Sequence, residues 1–115
     1  ERTAFGKPIG KFEGIQFKFA DMSAEIRAME LMTYDTARMK AEGKRHTLEA
    51  AQTKLFSGVH CTQICLECQQ VLGGNGYSKE YHVERFVRDA KLLEIGEGTN
   101  EILRMLIGGT VLAQK

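Results

Sequence analysis

Residues 14–43 read GIQFKFADMSAEIRAMELMTYDTARMKAEG, and this stretch decides the fold class. Its apolar residues recur at spacings of four and three, as Ile15, Phe19, Met22, Ile26 and Met29. Such spacing lines up one face of an amphipathic helix. Glycine is favoured just beyond the last turn of a helix, because it adopts left-handed backbone angles without a steric penalty. The stretch therefore predicts one long helix that begins at Gly14 and stops near Gly43.

A second helix is predicted after the polar turn Lys44-Arg45-His46, from Thr47, a suitable N-cap residue, to about Leu72. Apolar residues cover more than one side of it, namely Leu55, Phe56, Val59, Cys61, Ile64, Cys65, Leu66, Cys68, Val71 and Leu72. A helix that is apolar on several sides is normally enclosed by others. We therefore expect this helix to be the central one.

Two glycine-rich breaks divide the rest of the chain, at residues 73–76 and 96–98. A third helix is predicted between them, from about Lys79 to Lys91. A fourth follows the second break, capped by Thr99 and continuing through Ile102, Leu106, Ile107 and Val111. Strand-like alternation is absent. The sequence therefore predicts an all-α fold, an up-down bundle of four helices joined by short turns.

The first thirteen residues differ from the rest, because they contain Gly6, Gly10 and Pro8, the only proline. We expect residues 1–13 to form an extended entry segment to a single helical domain that takes up residues 1–115. Since the chain opens at Glu1 instead of a methionine, we also expect it to be a piece of a longer protein.

Charge and hydropathy exclude several classes of protein. A net charge of +1, from 16 basic and 15 acidic residues, provides no field that would attract nucleic acid or an anionic membrane. No apolar run is long enough to span a bilayer, and we expect no secretion signal. The odd count of three cysteines argues against a disulfide framework and for a reducing, intracellular location. We expect that location to be the bacterial cytoplasm or the mitochondrial matrix.

The three cysteines raise the question of a metal site. Cys61, Cys65 and Cys68 have the spacing of one helical face, and His60 or His82 would be a fourth ligand. The alternative is that these cysteines pack as small apolar residues. No second ligand pair has the spacing of a zinc site, so we favour packing and predict no metal.

The first break, Gly73-Gly74-Asn75-Gly76-Tyr77, resembles a dinucleotide fingerprint only superficially. That fingerprint needs a preceding strand and a further glycine where this chain has Lys79. Two interpretations stay open. The glycines end a helix and form a tight turn, or they let a ligand approach bare backbone.

The second break, Ile95-Gly96-Glu97-Gly98-Thr99, places an acidic residue between two glycines. Helix propensity does not explain this pattern. One interpretation is that Glu97 complements the dipole of the following helix. The other is that the flanking glycines, which have no side chains, let the Glu97 carboxylate project from the backbone as a general base.

These two breaks, with the opening Arg2-Thr3-Ala4-Phe5-Gly6 and the segment Glu84–Lys91, resemble the C-terminal helical domain of the acyl-CoA dehydrogenase family. The four segments match the family in their residues and also in their order and separation. The resemblance covers essentially the whole chain.

The resemblance implies FAD as the cofactor, bound between domains and between subunits of a homo-oligomer. Arg2 matches an arginine that reaches the FAD pyrophosphate of a neighbouring subunit, and Phe5 an aromatic residue beside the same flavin. Gln70, Gly73 and Gly74 match the segment that borders its adenosine half. Thr99 matches a contact to the flavin of its own subunit. Glu101 stands where relatives carry Gln or Glu, and Ala4 where some carry Thr.

The resemblance also implies that Glu97 is the catalytic base of α,β-dehydrogenation of an acyl-CoA thioester, with an electron-transfer flavoprotein or similar acceptor as partner. Gly96 replaces a bulky aromatic residue found there in several straight-chain enzymes. Two alternatives stay open: a non-catalytic helical module for oligomerisation or flavin binding, and an acyl-CoA oxidase relative. The near-zero net charge disfavours nucleic-acid binding.

Overall fold

The computed structural model describes residues 2–113 and is built almost entirely of helices. Glu1, Gln114 and Lys115 lie outside the described residues. The helices are α1 (Glu13–Ala41), α2 (Thr47–Leu72), α3 (Gly74–Tyr77), α4 (Val83–Ile95) and α5 (Asn100–Ala113). Two short strands, β1 (Thr3–Ala4) and β2 (Lys7–Pro8), precede them, and 3₁₀ turns cover Ile9–Lys11 and Lys79–Tyr81. The predicted all-α class is confirmed, with α3 as a single additional turn between the second and third long helices.

The predicted end of α1 is confirmed in detail. Gly43 has φ +69°, directly after the last helical turn. Its N–H donates to the carbonyl oxygen of Lys40 at 3.1 Å, and the Lys44 N–H donates to that of Met39 at 2.9 Å. This pair of bonds satisfies carbonyl groups that the helix itself leaves without partners. Gly43 therefore ends the helix for the reason that the sequence indicated.

Helix α2 is the centre of the bundle, as predicted, because it packs against α1, α3, α4 and α5. It runs antiparallel to α1. Near one end Lys18 pairs with Glu67, and near the other the Thr36 and Thr53 hydroxyls lie 2.9 Å apart. Between these contacts Met22 is buried. The packing of each of the other helices against α2 therefore sets its place in the domain.

The core of the described chain is thin. Its buried apolar side chains are Met22, Ala51, Ala90 and Leu103, and the molecule measures 59 × 26 × 24 Å. Large apolar side chains stay exposed, including Phe17, which is 59% exposed, and Phe19, which is 54% exposed. Apolar faces of this extent are typical of surfaces that contact other protein.

The entry segment is not simply extended, since it contains a hairpin that the sequence analysis missed. Thr3 pairs with Pro8 and Ala4 with Lys7, which leaves Phe5 and Gly6 as a two-residue loop. Both loop residues have positive φ, +50° and +78°. That geometry matches the twist of the flanking strands, and a glycine makes it accessible. The hairpin folds the chain back at Gly6.

Two helix starts were predicted wrongly. Thr47 is the first residue of α2 and not its cap, which is His46 without a side-chain hydrogen bond. Helix α4 begins at Val83 and not at Lys79, because Ser78 accepts a hydrogen bond from the Glu80 N–H and stabilises a separate 3₁₀ turn. His82, at φ +58°, separates that turn from the helix.

Candidate functional site

The hairpin brings Arg2 to the C-terminal end of α2. Arg2 Nη1 lies 3.5 Å from the carbonyl oxygen of Leu72. A Cβ atom at Gly73 would lie 2.7 Å from the same nitrogen. Gly73 also has φ +60° and caps α2 through a hydrogen bond from its N–H to the Gln70 carbonyl oxygen at 3.1 Å. Residues seventy positions apart in sequence thus meet at one helix end.

A cleft of about 510 Å³ opens beside this helix end, between the last turns of α2 and helix α3. Its lining includes Gln70, Gly73, Gly74 and Tyr77. Gln70 is exposed, so its amide is available to a ligand. The structure therefore brings Arg2 together with Gln70 of α2 and with Gly73 and Gly74 of the first break, all of which were predicted to contact a cofactor. We call this group, residues 2, 70, 73 and 74, the arginine cluster.

The three glycines of the first break have different roles. A Cβ at Gly76 would lie 2.4 Å from the Gln69 carbonyl oxygen, so this glycine lets α3 fold back on α2. Gly73 caps the helix, as one of the two interpretations predicted. Nothing lies within 4 Å of a Cβ placed at Gly74, so its backbone borders open space. The fold needs Gly73 and Gly76, whereas Gly74 leaves room for a ligand.

Phe5 sits next to the arginine cluster at the tip of the hairpin. It is 97% exposed. Its ring meets Phe12 edge to face, with centroids 6.3 Å apart, and both rings line a second cleft together with Arg2 and Val71. An exposed aromatic ring beside an exposed guanidinium provides one flat apolar surface and one cationic surface side by side.

Glu97 lies in the turn between α4 and α5, which contacts α2 at Lys54, in the N-terminal half of that helix. It has φ +52°, and the following Gly98 has φ +104°. A positive φ is uncommon for any residue other than glycine. Glu97 is exposed, and no cation lies within ion-pair distance of it among residues 2–113.

Thr99 caps α5, as predicted. Its Oγ1 accepts a hydrogen bond from the Ile102 N–H at 3.4 Å. The hydroxyl hydrogen of Thr99 stays available as a donor. Glu101, in the first turn of α5, is exposed and lies 3.7 Å from the guanidinium of Arg104. Glu97, Thr99 and Glu101 thus share one turn and the helix that follows it.

Residues that the sequence analysis missed hold this turn. Lys54 Nζ on α2 donates to the carbonyl oxygens of Leu93, at 3.0 Å, and Gly98, at 2.8 Å. A Cβ at Gly58, one helical turn further along, would lie 3.2 Å from the Leu93 carbonyl oxygen. Glycine at residue 58 therefore allows a closer approach of α2 and α4 than a larger residue would. The pairing of residues 54 and 98 spans 44 positions, and no local pattern indicates it.

Asn100 and Glu94 reinforce the turn from inside. Asn100 is only 5% exposed, and its Nδ2 donates to Glu94 Oε2 at 3.2 Å. Lys91 donates to the same oxygen at 3.0 Å. Hydrogen bonds from the Thr62 hydroxyl and then from Lys91 lower the pKa of Glu94 below its ordinary value. Glu94 is therefore an ionised structural residue at neutral pH.

The two groups of predicted site residues lie far apart. Lys54, which contacts the Glu97 turn, and Leu72, which contacts Arg2, are both on α2. They lie 18 positions apart on the helix, which is about 27 Å at roughly 1.5 Å per residue. The structure therefore does not bring the arginine cluster and Glu97 into one pocket of the described chain.

The cysteines and histidines give no sign of a metal site. Among the described residues, no three His, Cys, Asp or Glu side chains are grouped closely enough to share a metal ion. Cys68 Sγ lies 3.8 Å from Met22 Sδ at the α1–α2 contact. His60 stacks on the Phe56 ring, with centroids 3.8 Å apart.

Within residues 2–113, no helix combines the length and apolar character that crossing a bilayer requires.

Comparison with known proteins identifies the family. The family model described as the acyl-CoA dehydrogenase C-terminal domain matches residues 1–112. A probable acyl-CoA dehydrogenase of Bacillus subtilis is 49% identical over 112 residues, which are 97% of this chain and 30% of that protein. A subunit of the caffeyl-CoA reductase-Etf complex of Acetobacterium woodii is 40% identical, over 97% of this chain and 30% of that subunit.

The same comparison extends to solved structures. The structure of butyryl-CoA dehydrogenase from Megasphaera elsdenii superimposes with a TM-score of 0.95 at 45% identity, covering 97% of this chain and 29% of that one. The chain thus spans about 30% of the length of the relatives that it matches. The matches cover nearly all of the chain and agree in sequence and in fold. The chain therefore belongs to the acyl-CoA dehydrogenase family, as the C-terminal helical domain.

Proposed function

We propose that this chain contributes the catalytic base and part of the FAD site to an enzyme that catalyses α,β-dehydrogenation of acyl-CoA thioesters. The observation that carries the proposal is the Glu97 turn. Its carboxylate is exposed, has no cationic partner in the described part of the chain, and sits on backbone with positive φ at residues 97 and 98. Strained backbone of this kind is concentrated at functional sites.

Glu97 would remove the proton from the carbon next to the thioester carbonyl. That proton is far too weakly acidic for an ordinary carboxylate unless the negative charge that develops on the thioester oxygen is stabilised. The Glu97 backbone N–H is the donor that this chain would supply to that oxygen. One residue would thus supply both the base and a hydrogen-bond donor to the same substrate.

The described residues fit FAD in two places. FAD, when bound, supplies the acceptor for the hydride that leaves the β-carbon. Arg2 would bind its pyrophosphate, since a guanidinium stays charged and its planar donors suit phosphate oxygens. Gln70 and Gly74 offer an exposed amide and bare backbone beside Arg2, and Phe5 an exposed ring.

Thr99 and Glu101 would contact a flavin near Glu97. The capping role of Thr99 uses an oxygen lone pair and leaves its hydroxyl hydrogen for a ligand. Glu101 is the weaker candidate, because its carboxylate lies beside Arg104 and offers acceptors only.

The separation of the two groups supports a homo-oligomer. A span of roughly 27 Å along α2 divides Arg2 from the Glu97 turn. We propose that the arginine cluster contacts the FAD of a neighbouring subunit, while the Glu97 turn serves the subunit's own flavin. An electron-transfer flavoprotein is the proposed electron acceptor, since one relative is a subunit of a reductase-Etf complex.

Replacement of Glu97 by Gln in the complete protein that carries this chain tests the proposal. Gln keeps the shape but cannot accept the proton, so flavin reduction by acyl-CoA should slow by about 100- to 10,000-fold. Asp89→Asn is the matched control, because Asp89 is a 68% exposed carboxylate on α4, the helix that leads to the turn. The control should reduce its flavin at the unmodified rate.

Undiminished flavin reduction in Glu97→Gln would show that another group is the base. Peroxide release during turnover in air, at a rate equal to flavin reduction, would instead identify an oxidase. A protein that binds FAD but is not reduced by any acyl-CoA would support a non-catalytic module.

A further inference from the structure

Lys54 makes an unusual pair of contacts on the two sides of Glu97. Its ammonium group donates to the Leu93 carbonyl oxygen at 3.0 Å and to the Gly98 carbonyl oxygen at 2.8 Å. Leu93 belongs to the last turn of α4, where carbonyl groups lack partners within the helix. Gly98 follows Glu97 directly. One cation on α2 thus ties together the two ends of the segment that carries Glu97.

The turn needs such a tie because its backbone is strained. Glu97 has φ +52° although it has a side chain, and such a conformation persists only when the surrounding structure enforces it. Between residues 2 and 113, Lys54 is the only side chain that donates to a backbone carbonyl oxygen of residues 93–98. Hydrogen bonds from a charged donor are stronger than those from a neutral one. Lys54 is therefore the main polar restraint on the turn from outside.

The Lys54 ammonium contacts the Leu93 and Gly98 carbonyl oxygens and forms no ion pair with the described residues. No carboxylate lies within ion-pair distance of it in the described part of the chain. Gly58, four residues on and on the same face of α2, approaches the Leu93 carbonyl oxygen so closely that a Cβ would lie 3.2 Å away. The face of α2 formed by residues 54 and 58 is thus shaped to receive the end of α4.

We propose that Lys54 is a positioning residue for the reaction: by clamping the carbonyl groups of Leu93 and Gly98, it sets the direction of the Glu97 carboxylate and backbone N–H. This inference rests on the proposed role of Glu97 as the base. Lys54 would act through Glu97 and would itself contact neither substrate nor cofactor. Its loss would release the turn and leave the carboxylate present but misdirected.

The test is Lys54→Met in the complete protein, because Met keeps an apolar stem and removes the ammonium. Backbone amide exchange in a peptide that covers residues 97–103 should become at least about 10-fold faster, since the turn opens locally more often. The kcat should fall by about 10- to 100-fold, because small misplacement of a catalytic group has effects of this size. KM and flavin content should change little.

Lys18→Met is the matched control. Lys18 is also a partly exposed cation that links α2 to another helix, through Glu67, but it does not touch the turn. It should leave kcat and exchange in residues 97–103 unchanged. Unchanged exchange and kcat in Lys54→Met, or equal losses in Lys18→Met, would overturn the proposal.

Lys54→Arg separates the cation from general packing. Arg keeps a charged donor at residue 54 and should retain more kcat and more exchange protection than Met. Equal losses in the two variants would assign the effect to packing and overturn the proposal. If Glu97→Gln abolishes flavin reduction while Lys54→Met does not alter it, the positioning role alone fails; if Glu97→Gln has no effect, the proposed function fails.

Discussion

Arg2 Nη1 occupies space that a side chain at residue 73 would need, because a Cβ on Gly73 would lie 2.7 Å from it. The hairpin of β1 and β2 sets the position of Arg2, and the left-handed backbone of Gly73 leaves the gap that Arg2 fills. The same glycine caps α2. The absence of a side chain at Gly73 therefore serves both the end of α2 and the position of Arg2 beside the cleft.

Gly73→Ala should therefore affect stability and cofactor binding together. A side chain at φ +60° and ψ −135° is strained by about 1–3 kcal/mol, and it would also displace Arg2. We expect a lower urea midpoint of the complete protein and weaker FAD binding, measured by titration of the apoprotein. Gly74→Ala is the control for strain, since nothing lies within 4 Å of its Cβ. A Gly73→Ala protein as stable as Gly74→Ala would contradict the strain argument.

Gly76→Ala should destabilise the protein through overpacking. Its Cβ would lie 2.4 Å from the Gln69 carbonyl oxygen, so α3 would have to move away from α2. Overpacking of this kind typically costs about 1–3 kcal/mol. Gly109→Ala provides the contrast, because Gly109 lies inside α5 with open space around it, and alanine there should stabilise the helix by about 0.5–1 kcal/mol. Denaturant unfolding of both variants checks the opposite signs.

Glu94 should make stability depend on pH. Because hydrogen bonds lower the pKa of the folded-state carboxyl, its contribution is fully present above the ordinary value of 4.5 and is lost as pH falls through the lower folded-state pKa. Glu94→Gln should thus be less stable than the unmodified protein at pH 7. That difference should shrink as the pH falls below 4.5. Urea unfolding at several pH values measures it, and a difference independent of pH would refute the assignment.

Cys65 should react slowly with alkylating reagents in the folded protein. Burial raises its pKa to about 11, with further contributions from Cys61. Since the thiolate is the reactive form, the folded protein at pH 8 should alkylate at Cys65 about 100-fold more slowly than an ordinary thiol of pKa 9. Mass spectrometry of iodoacetamide-treated protein gives the rate. In urea the three cysteines should react equally, which serves as the internal control.

Local chemistry explains why several features were predictable from the sequence. Gly43 ends α1 and Thr99 caps α5 because each acts on backbone groups within a few residues of itself. The start of α4 was predicted wrongly although it also depends on nearby residues. Ser78 and His82 flank a short 3₁₀ turn there, and this turn takes the place of the first helical turn. The hairpin was missed because its two paired residues per strand are too few to show alternation.

The sequence by itself determined the all-helical fold, the central place of α2 and the family, because period, helix ends and motif order are properties of the chain. It did not determine which apolar face is buried: Met22 is enclosed, whereas Phe19 on the same stripe is 54% exposed. Only the tertiary structure decided that Arg2 meets Gly73 and that Lys54 clamps the Glu97 turn. Those contacts depend on how helices pack across 44 to 70 positions of chain, and side chains at such separations carry no shared pattern.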